Sequence, residues 1–251
     1  MRIGTTMGLD LDGPQTFEDI ASEANAARAA GFRQLWSAQL FSWDALTLLG
    51  ALGGRVPDVG FGTAVVATYP RHPLMLASQA LTVQAATGNR LTLGLGPSHQ
   101  VIVEGSFGLG FDRPGRHVRE YLTALIPLLH GETIDYRGET LSAVGAVGVT
   151  GAAPPPVLVA ALGPALLRIA GELVEGTIVT WTGPKALSSH VVPRITAAAE
   201  AAGRPPPRVV VSLPVTVTAD EQAARDRVAD SLGQASDLPS YRAMLRAGAA
   251  S

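Results

Sequence analysis

Three short stretches hold the residues whose types could do chemistry. The first is Gly96-Pro97-Ser98-His99, where a hydroxyl and an imidazole follow an apolar run. An imidazole titrates near neutral pH, so His99 could take or give a proton there; a lone histidine is also commonly a structural hydrogen-bonding residue, and the same two readings apply to His72. The second is Thr63-Ala64-Val65-Val66, whose small side chains would let a flat ligand approach the backbone. Gly94 and Gly96 either extend that open space or only relieve crowding between strands. The third is VLVAALG, Val157 to Gly163, followed by Pro164. A strand here runs into a helix N-terminus, and Ala160, Ala161 and Gly163 leave backbone N–H groups accessible in the positive field of the helix dipole. That pattern suits a phosphate; its plainer reading is an ordinary turn with proline at the first helical position. Trp181 ends the following strand toward the same mouth, and Trp36 and Trp43 flank the end of the second strand, each as core or as the wall of a cofactor pocket.

Other chemistries lack their residues. Cysteine is absent, which removes disulfides and a thiol nucleophile and fits a reducing compartment. There is no HExxH, no close histidine pair, no GxSxG elbow, no Walker-type loop and no GxGxxG after the first strand. A net charge of −2 argues against non-specific nucleic-acid binding. Lys185 is the only lysine. No apolar run approaches the roughly 18 residues of a membrane span, and the first residues hold no extended apolar leader, so the expectation is a soluble cytoplasmic protein.

The elements that must position these residues alternate. Residues 59–66 read as a buried strand, 74–86 as a helix ended by Gly88-Asn89, and 91–96 as another buried strand: a parallel βαβ unit in under forty residues. Before it come a strand at 2–7, a helix from Phe17 capped by Thr16 and stopped by Gly31, a strand at 34–37 and a helix at 43–52. After His99 the rhythm breaks. Residues 101–115 are glycine-rich and read as irregular, a helix runs from Pro114 to about His130, residues 133–141 read as a hairpin turning at Arg137-Gly138, and 143–156 as a linker. Arg113, Arg116 and Arg119 cluster at the start of that helix, where cations are disfavoured, so they are either solvated or meet an anion. Alternation then resumes: strand 157–161, helix 164–173, strand 177–181, helix 184–202 kinked at Pro193, strand 209–217 with Pro214 marking an edge or bulge, helix 220–232 and helix 239–247. Seven strands in one run make an α/β (β/α)8 TIM barrel the nearest architecture, a single domain over 1–251 with an irregular insertion around 97–156. The eighth strand is expected to be missing, supplied by a partner or tail, or hidden within residues 133–149.

The runs TAVVATYPRHPLMLASQALTVQAATGNRLTLGLGPSHQ, GFDRPGRHVREYLTALIPLL and PVLVAALGPALLRIAGELVEGTIVTW resemble the luciferase-like monooxygenase superfamily, and within it the actinobacterial branch that uses the deazaflavin coenzyme F420. The resemblance implies a barrel that is usually dimeric and holds a flavin or deazaflavin ring at the carboxyl ends of its strands. It implies a non-proline cis peptide at Ala64–Val65 beneath the ring, with Thr63, Ala64, Val65 and Ser98 around it. The cofactor phosphate would lie at Ala160, Ala161, Leu162 and Gly163, with Trp181 nearby. Residues 37–43 resemble the family's Ser-Asp-His…Trp run, with Ala38 and Gln39 replacing the acid and the histidine, so Gln39 and Trp43 are substrate-side candidates and His99 the catalytic one. The activity implied is hydride transfer between F420 and a small organic substrate by a homodimer; the alternatives are an FMN-dependent monooxygenase of the same superfamily and a non-catalytic cofactor-binding paralogue.

Overall fold

Parallel strands alternate with helices, as the apolar spacing requires. The computed structural model of the chain describes residues 3–9, 13–233 and 238–249, in two compact units, one up to Leu158 and one from Val159.

In the first unit, β1 (Gly4–Met7), β2 (Gln34–Ser37), β3 (Gly60–Thr63) and β5 (Leu91–Gly96) lie side by side in that order, all parallel. The short β4 (Val66–Ala67) continues the line of β3 and pairs with the last residues of β5. Between β3 and β4 the Ala64–Val65 peptide is cis, at the position the resemblance implies. Leu93 N–H donates to Pro156 O at 2.8 Å, which brings the segment before β8 (Val157–Ala160) alongside β5. β2 and β5 are buried at every position, as expected for parallel strands covered on both faces.

The helices follow from local chemistry. α1 (Phe17–Ala29) starts in a capping box: Asp19 N–H donates to Thr16 Oγ1, and Thr16 N–H donates back to the Asp19 carboxylate at 2.9 Å. α2 (Ala45–Leu52) is capped by Asp44, and α3 (Pro73–Ala86) by His72, whose Nε2 lies 2.8 Å from Ser142 O; His72 is therefore structural. α5 (Pro114–Leu129) packs on α3 and buries Val118, Tyr121, Leu122, Leu125 and Leu128 at helical spacing. Each such leucine is worth roughly 1.5–3 kcal/mol of burial. At the amino end of the strands, Arg90 donates to the carbonyls of Gly53, Val56, Val59 and Thr87 and lies 4.9 Å over the Phe61 ring.

Two expectations for the insertion are corrected. Part of the stretch read as irregular forms α4 (Gln100–Gly105), anchored by the fully buried Val103. The hairpin is β6 (Ile134–Arg137) with β7 (Ser142–Gly145), so its return strand lies in the region read as a linker. The cause is Glu120 on α5: its carboxylate accepts from Glu139 N, Thr140 N and Thr140 Oγ1 and fixes the turn there. These two strands pair antiparallel in a sheet of their own, so nothing within residues 133–149 adds to the parallel sheet. The described residues hold the seven parallel strands expected, besides β4.

β8 spans the boundary of the two units, and the strand order runs on through β9 (Gly176–Thr180) to β10 (Arg208–Ser212), of which β9 and β10 pair parallel. α6 (Pro164–Leu173) packs on α8 (Val192–Ala201) so closely that a Cβ on Gly171 would lie 2.6 Å from Ile195 O. The helix expected over 184–202 is broken into α7 (Pro184–Ala186), a π-helical turn Leu187–Val191, and α8. Pro193 offers no N–H to the turn before it, and the distortion falls just ahead of it. β10 ends at Ser212, five residues before the expected Val217: Pro214 cannot extend the ladder, and Leu213, Val215 and Val217 are exposed. α9 (Glu221–Leu232), capped by Asp220, and α10 (Pro239–Ala249) follow. Among the described residues no helix is long and apolar enough to cross a membrane.

Candidate active site

In the first unit the candidate residues gather at the carboxyl ends of β2, β3 and β5. Thr63 ends β3, fully buried. Its Oγ1 donates to Gly94 O at 2.7 Å and accepts from Gly94 N–H at 2.8 Å, which ties β3 to β5 beyond the last ladder pair. A Cβ on Gly94 would overlap the Thr63 carbonyl oxygen, so this glycine relieves crowding, one of the two readings open in the sequence. The Ala64–Val65 peptide is held from the β2 side: Ala64 N–H donates to Ser37 O at 2.8 Å, and Gln39 N–H to Val65 O at 3.2 Å. Ser37 Oγ is buried and has no partner in the protein. A buried hydroxyl without a partner costs about 1–3 kcal/mol, and its place at a strand end marks somewhere a ligand's polar edge could satisfy it.

Ser98 follows β5 with φ +65°, a left-handed conformation uncommon outside glycine. Trp181, after β9 in the second unit, is likewise left-handed at φ +55°. Two candidates drawn from sequence thus sit among five non-glycine residues of positive φ in the described chain, and such conformations concentrate at functional sites. His99 takes the N-cap position of α4 without capping it, and burial pushes its imidazole below the ordinary histidine value. Near neutral pH its ring is therefore uncharged. The Gln39 side chain is committed: Oε1 accepts from Ala45 N at 3.0 Å and Arg71 Nη2 at 3.2 Å, and Nε2 donates to Leu40 O. The Trp43 ring tilts against Phe17, with ring centroids 6.5 Å apart.

A cleft of about 470 Å³ opens beside these strand ends, within the first unit, lined by Thr68, Tyr69, Arg71, Asp112, Arg113, His117 and Tyr121 among others. Sequence reasoning missed it. His117 is buried, with Nε2 3.0 Å from Thr68 Oγ1, and stacks on Tyr69 at 3.9 Å between ring centroids. Its pKa is lowered by burial, against the opposing pull of Glu120. The one available signal was the apolar spacing of α5, which places His117 on the buried face beside Tyr121. Arg113 and Arg116 both pair with Glu139, so the anion they meet is the chain's own.

In the second unit the anion candidates stand at the start of α6. Ala161 is buried, Ala160 and Leu162 half-buried, and Gly163 exposed in the N-cap position. No side chain caps α6, no acid lies in its first turn, and the space where a Gly163 side chain would point is open. Thr177 Oγ1 donates to Val159 O at 2.8 Å, and His190 Nε2 lies 2.7 Å from Leu162 O, fixing the strand that leads into the helix. His190 too was missed, because nothing in the spacing links it to residue 162. Trp181 tilts against Tyr241 of α10, centroids 6.3 Å apart. Among the described residues no cluster of histidines and carboxylates could hold a metal.

A family model described as luciferase-like monooxygenase matches residues 2–250. The chain belongs to that family. An F420-dependent glucose-6-phosphate dehydrogenase of Microbacterium testaceum is 31% identical over 167 residues, 64% of this chain and 49% of that protein. Among solved structures, the coenzyme F420-dependent tetrahydromethanopterin reductase of Methanopyrus kandleri superposes with a TM-score of 0.77 at 21% identity, covering 98% of this chain and 82% of that one. The oxygenating constituent of 3,6-diketocamphane monooxygenase from Pseudomonas putida, solved with FMN, gives 0.75 at 19%, covering 99% and 78%. These likenesses establish the luciferase-like α/β barrel fold. The chain spans 49% to 68% of the length of the curated relatives it matches.

Proposed function

We propose that the protein is an oxidoreductase that moves hydride between coenzyme F420 and a small organic substrate. The observation that carries this reading is the strand-end floor of the first unit, where the buried, unpartnered Ser37 hydroxyl adjoins the backbone of residues 63–65. The F420-dependent relative at 31% identity supports the choice of cofactor. When bound, the deazaflavin supplies two-electron hydride chemistry. The chain supplies the rest. Thr63, Ala64 and Val65 offer a floor of small side chains and backbone to a flat ring, with Ser98 at its edge. His99 is an uncharged acceptor for a substrate proton. Gln39 and Trp43 bound the substrate side, Gln39 through the loop it holds. In the second unit, Ala160, Ala161, Leu162 and Gly163 present the uncapped start of α6 to a phosphate, and Trp181 offers an aromatic wall. A homodimer is the proposed assembly, read out by light scattering.

The test is a fluorescence titration with F420 and, in parallel, FMN. Saturable F420 binding is expected. Gly163→Asp adds a good N-cap and a negative charge, so the protein stays folded while F420 affinity falls about tenfold or more, the equivalent of ~1.4 kcal/mol. Gly163→Asn caps without charge and stays within about threefold of wild type. Preferential FMN binding assigns the protein to the flavin monooxygenases instead, a reading favoured by the FMN-containing neighbour of the same fold. Tight binding without turnover on a broad substrate panel assigns a cofactor-binding paralogue.

A further inference from the structure

Arg71 lies in the turn between β4 and α3, with its side chain only 15% exposed. Its backbone is pinned on both sides: Arg71 N–H donates to Thr68 O at 3.2 Å, and the Tyr121 hydroxyl donates to Arg71 O at 2.8 Å. The guanidinium Nη2 reaches two acceptors on the loop after β2, the Asp44 carboxylate and Gln39 Oε1. Asp44 in turn accepts from Thr47 N–H at 2.9 Å and so begins α2. Gln39 accepts from Ala45 N–H with the same oxygen and donates its own backbone N–H to Val65 O. The guanidinium is therefore one residue removed from the strand-end floor.

We infer that Arg71 is a positioning residue: through Gln39 and Asp44 it clamps residues 38–44 against the floor at residues 64–65, and so fixes the surface on which a flat ligand rests. This rests on the cofactor reading above for its consequence, but not for the clamp itself. The clamped loop carries Leu40 and Phe41, which are 54% and 70% exposed, and the Phe41 ring meets Phe107 at 6.1 Å between centroids. Both bonds leave from one nitrogen, whose two hydrogens lie at fixed directions in the guanidinium plane, whereas an ammonium on a flexible stem turns freely. Gln39 stands where the family resemblance expects a histidine, and its carboxamide supplies the acceptor that Arg71 uses.

Hydrogen exchange by mass spectrometry on the full chain decides this, comparing wild type with Arg71→Met, Arg71→Lys and Gln39→Glu. In Arg71→Met, peptides covering residues 37–45 and 60–67 should exchange about tenfold faster or more, while a peptide over 91–96 keeps its wild-type rate. Arg71→Lys should fall between. Gln39→Glu keeps an acceptor for both Arg71 and Ala45 but loses the donation to Leu40 O, so its peptide over 37–45 should exchange faster than wild type and slower than in Arg71→Met. F420 titration forms the second arm: Arg71→Met should weaken binding and alter the fluorescence of the saturated complex, which a merely structural role would leave unchanged. Wild-type exchange in Arg71→Met, or acceleration spread evenly over all peptides, overturns the inference. Should Arg71→Met not fold, Arg71→Lys carries the comparison by the same criterion. If wild type binds neither cofactor, the functional reading fails, and the exchange arm still decides the clamp.

Discussion

His99 and His117 are both pushed below the ordinary histidine value by burial, and both consequences share a sign. A histidine whose folded pKa is depressed favours the folded state when neutral. Its contribution is complete above the unfolded value of 6.5 and is lost as pH falls from there through the lower folded value. Thermal melts should therefore show Tm declining below pH 6.5, and His117→Gln, whose amide can still hydrogen-bond Thr68 Oγ1, should shrink that decline. For catalysis, a neutral His99 predicts a rate that rises with pH through an apparent pKa below 6.5 and then levels. His99→Gln should lower kcat by about 10²–10⁴-fold and abolish that acidic limb, measured as a pH–rate profile. Two further residues test the frame. Thr63→Val removes a hydroxyl that both donates to and accepts from Gly94, and should cost about 1–3 kcal/mol in denaturant melts. Arg90→Lys keeps charge but cannot serve four carbonyls, and should cost a similar amount, about 1–3 kcal/mol.

Elements bounded by strong punctuation were legible in the sequence. α3 and β5 lie within one residue of their expected limits because Pro73, Gly88 and Asn89 mark them, and α1 because Thr16 and Asp19 do. Elements set by distant partners were not. The hairpin turn answers to a carboxylate 19 to 20 residues upstream, and the Arg71 clamp joins residues separated by 27 and 32 positions. No periodicity encodes such pairings. The strand read to Val217 shows another limit: Leu213, Val215 and Val217 alternate like a strand, yet they are exposed beyond the end of β10. Their substitution should therefore be nearly free. Val215→Lys with Val217→Lys should leave Tm within about 2 °C and lower the aggregation rate measured by light scattering.

On the scale of the whole molecule, burial is uneven. β2 and β5 are buried throughout, whereas every residue of β10 is half-buried. Exchange protection should follow, with amides of β5 slower than those of β10 by an order of magnitude or more. The family and the alternation were legible because they depend on many residues at once. The candidate site could be read in the sequence only where residue type restricts conformation or chemistry: small side chains at 63–65, a histidine at 99 and a helix start after Gly163. The cleft beside Tyr69 and His117 was not, since it arises from packing between α5 and the turn before α3.

Lys185 stands exposed at the start of α7, just before the π-helical turn that carries His190 to the Leu162 carbonyl. As the chain's sole lysine, it makes the protein a near single-address substrate for amine chemistry. A succinimidyl dye would mark one side chain of the second unit, a few residues from the histidine that braces the approach to α6. It would report on that region without any engineered cysteine.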